Sequence, residues 1–512
     1  MAHPIPRTRE EATALLENDI KVQVAGVDID GILRGKVLTK DKFLSSLENG
    51  FGFCSVVFKW DMHDETLAPT DAAAAAEENY GDYVAKADLS TYRRIEGNIP
   101  FFLLRFYESC GRPLSFCPRS LLARVVDDYQ ALGLEPLSGA EFEFYCYRET
   151  PQTLHAKEGV GLEPMTPGNF GYSLLRPSLE KEFFNDIFDR CQAVRVPIEG
   201  LHTETGPGVM EAALVYSPSL QMGDQAVLFK TTVKQLGLKY GVIPSFMAKP
   251  YTDLPGCSGH LHFSLRSSHD GSNVFFDPDA RPSPKDPHRI PGMSDTFAAF
   301  LTGLLVGLPS ILALLAPTVN SYKRFVSKYW APVYVNWGFE SRTASVRVIG
   351  PEISADAPKS TGVDRERLIT AGKAMRLEMR VGGADINSHL AIAACLACGL
   401  WGIRHRLHRL PLPDLQAMNP KEGRIPTVLR VEGLNEGTPR VIADMNANHP
   451  HGLRLSRNLR EAVEVMRAPD SIARQVLGDD FVNHYARTRE HEWQLWENAV
   501  TDWERKRYME II

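Results

Sequence analysis

Ser138-Gly-Ala-Glu-Phe-Glu-Phe144 is the stretch on which the reading of this chain turns. Glu141 and Glu143 stand two apart, with Phe142 and Phe144 between and after them. A strand sends successive side chains to opposite faces, so both carboxylates point one way and both rings the other. Taken alone, the stretch reads equally as a half-exposed strand with a solvated acidic face. The layout recurs, however. His260-Leu-His262, inside Cys257-Ser-Gly-His-Leu-His-Phe-Ser264, again puts two ligand-type side chains on one face. Arg376-Leu-Glu378-Met-Arg380 and Ser345-Val-Arg347-Val-Ile349 repeat the alternation. Several strands with one apolar face and one Glu/His/Arg face predict a sheet curved around a polar cavity. Such a cavity holds a cation and an anion together.

The rest of the composition bounds the answer. The chain has 512 residues, 44% of them hydrophobic, and a net charge of −6, which is ordinary for a globular protein with two or more domains and a large core. That balance offers no basic field for nucleic acid. Eight cysteines are scattered without framework spacing. Cys395 and Cys398 form a C-x-x-C, but inside the apolar run Leu390 to Ile403, so they read as small core thiols. The start, Met-Ala-His-Pro-Ile-Pro-Arg, has no apolar signal-like run, and the expected location is a reducing cytoplasm. Thr296 to Tyr322 carries no charge and is long enough to span a membrane. Gly303, Gly307, Pro309 and Pro317 interrupt it, so two buried helices broken at Leu308-Pro309-Ser310 are expected instead, and no membrane partner.

Along the chain, residues 1–115 read as a small α/β unit and 116–512 as a second, larger one, with the boundary at Arg112-Pro113 to Pro118. In the first unit a helix is expected over Arg7 to Asn18, and strands over Lys21–Val27, Gly31–Leu38 and Phe53–Phe58. Gly31-Ile-Leu-Arg-Gly-Lys36 is one residue short of a P-loop and lacks its Ser/Thr. Residues 71–78 form an alanine-rich segment without evident chemistry. Residues 411–452, rich in Pro, Asn and Gly, read as an irregular excursion. The last sixty or so residues read as charged helices bearing Trp493, Trp496 and Trp503. Two further clusters matter. His202-Thr-Glu204-Thr-Gly-Pro-Gly-Val-Met-Glu211 can fold two carboxylates toward one ion across its Gly-Pro-Gly turn, and Asn320-Ser-Tyr-Lys-Arg324 precedes Arg342 and Arg347. Any single arginine there reads equally as a surface ion pair.

Glu141-x-Glu143, Glu204-x6-Glu211, His260-x-His262, Asn320-Ser-Tyr-Lys-Arg324, Arg342-x4-Arg347 and Glu378-x-Arg380 occur in the order and spacing of the glutamine synthetase superfamily, which this chain resembles from Arg34-Gly-Lys36 to Asp502-Trp-Glu504. The resemblance implies an α+β fold: an N-terminal β-grasp domain, then a catalytic domain with a curved antiparallel sheet surrounded by helices. It implies homo-oligomeric rings, commonly two stacked hexamers forming a dodecamer, with active sites between subunits. It implies ATP and L-glutamate as substrates and two or three Mg²⁺ or Mn²⁺ ions per site. By position, Glu143, Glu204 and Glu211 resemble the ligands of one ion, and Glu141, His260 and Glu378 those of the second; such hard ions favour oxygen ligands with an occasional imidazole. His262, Ser264, Lys373, Arg342 and Arg347 resemble the groups on the nucleotide phosphates. Arg324 and Arg380 resemble those on the amino-acid carboxylate, and Gly256 falls with the substrate-binding positions. Arg342, Arg347 and Arg324 are the expected catalytic cations. The implied reaction forms γ-glutamyl phosphate from glutamate and ATP, after which an amine displaces phosphate.

The second step is where the chain departs from the pattern. Ammonia-using members carry an Asp where Gly52 falls in Phe51-Gly-Phe-Cys-Ser55, and a flap Glu where Trp330 falls in Lys328-Tyr-Trp-Ala-Pro332. Without those acids a small cation lacks its anionic seat and its base. The expected nucleophile is therefore a larger organic amine, in a pocket flattened by Phe51, Phe53 and Trp330. A polyamine would look to Asp61, Asp64 and Glu65. The alternatives are an ordinary glutamine synthetase, a non-catalytic ring assembly of the same fold, and a ligase for another acid.

Overall fold

The structure, a computed structural model, describes residues 4–67, 80–281, 291–351, 353, 362–407 and 453–511. The alanine-rich segment at 71–78 and the excursion at 411–452 fall outside them.

The first sheet holds β1 (Lys21–Val27), β2 (Leu33–Thr39), β3 (Phe51–Cys54), β4 (Asp82–Ala87), β5 (Arg93–Ile95) and β6 (Ile99–Tyr107), in the order β2-β1-β6-β4-β3 with β5 beside β6. The β1/β2 hairpin is antiparallel and β1 runs parallel to β6, a mixed order that fits the β-grasp expectation. Strand alternation gives this sheet two dry faces. Val22, Val24, Phe102, Leu104 and Phe106 pack into a small core of their own, whereas Ala25, Val27, Phe101 and Leu103 pack into the large core of the rest of the chain. The helix expected over Arg7 to Asn18 is shorter, Arg9–Leu15, and starts where Thr8 Oγ1 accepts from the Glu11 amide at 3.2 Å. The strand expected at Phe53–Phe58 begins and ends earlier; Ser55–Phe58 is a 3₁₀ turn.

The second sheet holds β7 (Leu134–Tyr147), β8 (Ile198–Thr203), β9 (Val209–Pro218), β10 (Ile243–Ser245), β11 (Gly259–Ser267), β12 (Trp337–Phe339), β13 (Val346–Ile349) and β14 (Arg376–Met379). Its order is β12-β13-β14-β11-β7-β9-β8, with β10 beside β7. All its pairs are antiparallel except β12/β13, which run parallel. Register shifts at Ser138/Ala140 and at Ile198/Gly200 bend β7, β8 and β9, the usual source of sheet curvature.

Helices cover the outer face. The uncharged run forms one helix, Asp295–Leu315, rather than two. Pro309 lies inside it, and Ser310 Oγ donates to the Gly307 carbonyl at 2.8 Å and accepts the Ala473 amide at 3.1 Å. Among the described residues it alone is long and apolar enough to span a membrane, yet it is almost wholly buried in the protein, against the Ser388–Arg404 helix. Cys395 and Cys398 lie buried on that second helix, as expected of core thiols, and burial pushes both thiols up. A buried ion pair joins the Pro118–Gln130 helix to the Ser219–Tyr240 helix: Arg119 Nε donates to Asp224 Oδ1 at 2.8 Å, and His389 Nε2 meets the same oxygen at 2.9 Å.

The Asp479–Asn498 helix straps the two cores together. Its Arg489 pairs with Asp30 and donates to the Pro317 carbonyl at 3.0 Å, and its His484 ring stacks on Phe116 at 4.0 Å. Burial, followed by the nearby Arg487 charge, pushes His484 down to about 4. An unfolded imidazole titrates near 6.5, so the unfolded chain takes up this proton first on acidification. The contribution of neutral His484 is complete above pH ~6.5 and is lost as pH falls toward ~4, by up to about 3 kcal/mol. His484→Phe should therefore flatten the pH dependence of the urea midpoint across that window; parallel curves for the two proteins would remove this assignment.

Candidate functional site

The alternation in β7 is realised. Phe142 and Phe144 are fully buried against Phe229 and Phe246, and Glu141 and Glu143 lie on the opposite, concave face. Register then carries the same face across the sheet. His260 pairs with Glu141 and His262 with Gly139, His262 pairs with Glu378 on β14, and Glu378 with Arg347 on β13. On the other side Glu143 pairs with Glu211 on β9, and Glu211 with His202 on β8. Because Gly139, Glu141 and Glu143 alternate along β7, these register lines lie side by side and form one row of arginine, carboxylates and imidazoles on the concave face.

Two ligand groups form within that row. Glu141, His260 and Glu378 offer atoms within 4.8 Å of one another, and so do His202, Glu204 and Glu211. In the first, His260 Nδ1 lies 3.2 Å from Glu378 Oε1 and 3.6 Å from Glu141 Oε2. In the second, His202 Nε2 lies 3.8 Å from Glu211 Oε2, and the Tyr172 ring stacks on the imidazole at 4.3 Å. Glu143 is outside that tight group; its Oε2 accepts the Ser258 amide at 2.7 Å.

The electrostatics differ across the row. Burial raises the Glu211 carboxyl, and the charges of Glu143, Glu141, Glu204 and Glu378 raise it further. Burial also raises Glu143, more than the Ser258 hydrogen bonds and the Arg324 charge offset. Burial opposes ionisation of Glu141 too, but the neighbouring His260 and His262 imidazoles outweigh it and hold the carboxyl well below its usual range. Two unit charges at 4.8 Å repel by about 3.5 kcal/mol at an effective dielectric of ~20. Carboxylates crowded in this way, with imidazoles among them, fit divalent cations and are costly without them. His262 Nε2, buried and without a hydrogen-bond partner, faces Glu141 Oε1 at 3.2 Å.

A cavity of about 500 Å³ opens beside Glu141, and His262, Ser264, Lys373 and Arg376 line it. The residues expected to hold nucleotide phosphates therefore meet in one space, apart from the two arginines. Arg347 donates to Glu378 Oε2 at 3.1 Å and to Glu340, while Arg342 is exposed. Arg380 is buried and pairs with the other oxygen of Glu378. Asn273 Nδ2 donates to the carbonyls of Gly372, Lys373 and Met375, shaping the cavity wall.

Two expected site residues, Arg324 and Phe53, stand elsewhere than expected. Arg324 is buried and donates Nη2 to the carbonyls of Arg380, Val381 and Gly382, so it props the segment bearing Arg380. Gly256 makes room for it: a Cβ there would sit 2.9 Å from Arg324 Cγ and 2.4 Å from the Ala248 carbonyl oxygen. Phe53 is only 6% exposed and packs edge-on against Phe106 in the small core; Phe51 is buried with it. Strand period two sends Gly52 and Cys54 outward instead. A Cβ at Gly52 would lie 2.2 Å from Asp82 Oδ2, so the Asp82 carboxylate occupies the space of a side chain at position 52. Trp330 is 58% exposed and holds a left-handed backbone at φ 56°.

Sequence reasoning assigned no role to His202, Tyr172, Ser258, Arg376 or Asn273. The His202-x-Glu204 spacing was a usable signal, because it repeats the Glu141-x-Glu143 pattern. Arg376 stands in the alternating run with Glu378 and Arg380, also a usable signal; Tyr172, Ser258 and Asn273 act through a stacked ring, a backbone amide or a loop amide, for which no local pattern exists.

The family profile described as "Glutamine synthetase, catalytic domain" matches residues 115–430 and 435–508. A type-1 glutamine synthetase 2 from Dictyostelium discoideum is 40% identical over 98% of this chain and 87% of its own length. A gamma-glutamylethanolamide synthetase from Streptomyces coelicolor is 30% identical (96% and 92%), and a glutamate–isopropylamine ligase from a Pseudomonas species 28% (96% and 95%). Among solved structures, a GmaS/ADP complex superposes with a TM-score of 0.71 at 22% identity, covering 97% of this chain and 99% of that one.

Proposed function

This chain belongs to the glutamine synthetase family of ATP- and metal-dependent ligases, and from that premise we propose that it joins the γ-carboxylate of L-glutamate to an organic amine through γ-glutamyl phosphate. The observation that carries the reading is the row from Arg347 through Glu378, His260 and Glu141 to Glu211, set beside a nucleotide-sized cavity.

Glu141, His260 and Glu378 would hold one divalent ion, and Glu204 and Glu211, with Glu143 or His202, another; when bound, such ions neutralise charge on the transferring phosphoryl group. His262, Ser264 and Lys373 grip the ATP phosphates from the cavity wall. Arg347, already fixed by Glu378 and Glu340, and the exposed Arg342 supply fixed positive charge at the γ-phosphate. Arg380 faces the glutamate carboxylate, and Arg324 positions it through the 380–382 carbonyls. Trp330, exposed and carrying no carboxylate, supports an amine with an apolar body. Exposed apolar side chains at Tyr172, Leu174, Leu175, Trp503 and Ile511 support burial in a ring of subunits.

A second reading, an ordinary glutamine synthetase, is favoured by Asp82. Its carboxylate reaches the place where the resemblance puts the ammonium-binding acid, and the 40% identical relative bears the glutamine synthetase name. The test is phosphate release with ATP, Mg²⁺ and L-glutamate over ammonium, ethanolamine, putrescine, isopropylamine and aniline, with mass spectrometry of the product. The organic-amine reading expects one organic amine to exceed ammonium by about tenfold or more at equal concentration, with Asp82→Asn leaving that rate within about twofold. Turnover mainly with ammonium, and a KM for ammonium raised about tenfold or more in Asp82→Asn, would establish the second reading. Release with no amine at all would leave the non-catalytic assembly or a ligase for another acid.

A further inference from the structure

Of the acids considered for a polyamine, Asp64 pairs with Arg34 and the Asp61 carboxylate takes two backbone amides. Residues 59–67 close a tight loop: Trp60 and Thr66 form a bridge, and the Leu67 amide donates to the Lys59 carbonyl at 2.8 Å. Arg34 takes Asp64 and the backbone carbonyl of Asp61, leaving the Asp61 carboxylate alone. Asp61 Oδ1 accepts the amides of His63 at 2.8 Å and Glu65 at 2.9 Å, which fixes the group. Its Oδ2 points at His491 on the Asp479–Asn498 helix.

That contact is not a hydrogen bond. Asp61 Oδ2 and His491 Nε2 are 3.6 Å apart, on side chains 14% and 19% exposed. His491 Nε2 is itself buried and has no hydrogen-bond partner. Burying an unpaired imidazole nitrogen is costly. Two ligands at about 2.0–2.1 Å from one ion, meeting at a tetrahedral angle, stand about 3.4 Å apart. The corresponding separations in the Glu141–His260–Glu378 group are 3.6 and 3.2 Å. Glu65 completes the set, with the three ligand atoms within 4.8 Å of one another.

We propose that Asp61, Glu65 and His491 bind a divalent transition ion of the zinc class, separate from the ions of the catalytic row. One imidazole with two carboxylates suits a zinc-class ion, which binds imidazole readily, whereas Mg²⁺ and Ca²⁺ favour oxygen and take an imidazole only occasionally. The Asp61 carboxylate is pre-oriented by two amides, as ligating carboxylates are. The ion clamps the 59–67 loop to the helix that already holds Asp30 through Arg489 and Phe116 through His484. It would therefore tie the small core to the large one at a third point.

The full-length protein is stripped with a chelator, reloaded with Zn²⁺ or Co²⁺ and desalted. Zinc retained per chain should fall by about one equivalent in His491→Asn relative to wild type, with loss of the matching Co²⁺ visible absorption. Glu65→Gln alters only an exposed ligand and should weaken that zinc about tenfold. The catalytic row is intact in every protein, so its ions cancel in the comparison. Wild-type zinc content and Co²⁺ spectra in both variants would overturn the proposal; if His491→Asn does not fold, Glu65→Gln alone decides it.

Discussion

Glu378→Gln is expected to lower ATP- and glutamate-dependent phosphate release by a factor on the order of a thousand, about 4 kcal/mol of transition-state stabilisation. Glu378 is 1% exposed and meets His260 at 3.2 Å, Arg347 at 3.1 Å and Arg380 directly. The amide would leave two arginines, Arg380 buried and Arg347 nearly so, without their shared anion, and breaking such a pair costs about 3–5 kcal/mol. It would also remove an anionic ligand from the Glu141–His260 group, so the defect should deepen at low Mg²⁺ and recover only in part at high Mg²⁺. Glu378→Asp keeps the charge and should retain more activity than the amide. Single-turnover phosphate release across a Mg²⁺ series measures both. Activity within tenfold of wild type in Glu378→Gln would place the chemistry elsewhere in the row.

Gly303→Val is expected to abolish cooperative folding, or to lower stability by at least about 3 kcal/mol. Gly303 and Gly402 are where the Asp295–Leu315 and Ser388–Arg404 helices touch backbone to backbone. A Cβ at Gly303 would lie 2.3 Å from the Cys398 carbonyl oxygen and 2.6 Å from Gly402 Cα; one at Gly402 would lie 2.1 Å from the Ala299 carbonyl oxygen. Neither obstacle is a side chain that can rotate away, so the helices must separate and open a large buried apolar contact. Gly200→Ala, which meets open space, is the control and should change the midpoint little. Chemical denaturation followed by tryptophan fluorescence compares them. A normal midpoint for Gly303→Val would show that this crossing is not tight.

Much of the site was legible because its pattern is local. Glu141, Glu143, His260, His262 and Glu378 declared their common faces through a period of two, which needs no tertiary information. The helix break at Pro309 was misjudged for the opposite reason. A proline removes one hydrogen bond locally, but here packing against the Ser388–Arg404 helix keeps the run continuous. Phe53 was misplaced because alternation says which residues share a face, not which face is dry.

By itself, then, the sequence determined the family, the α+β class, the acidic and imidazole faces and most of the residues that gather on the concave face. Only the tertiary structure decided which strands lie side by side, and hence that His202 joins Glu204 and Glu211. It also decided that Arg324 holds carbonyls, that Asp82 fills the space at Gly52, and that His491 meets Asp61 across more than four hundred residues. The physical reason is register: side-chain direction follows from neighbouring residues, whereas the pairing of distant segments is set by which arrangement buries the apolar faces of both sheets.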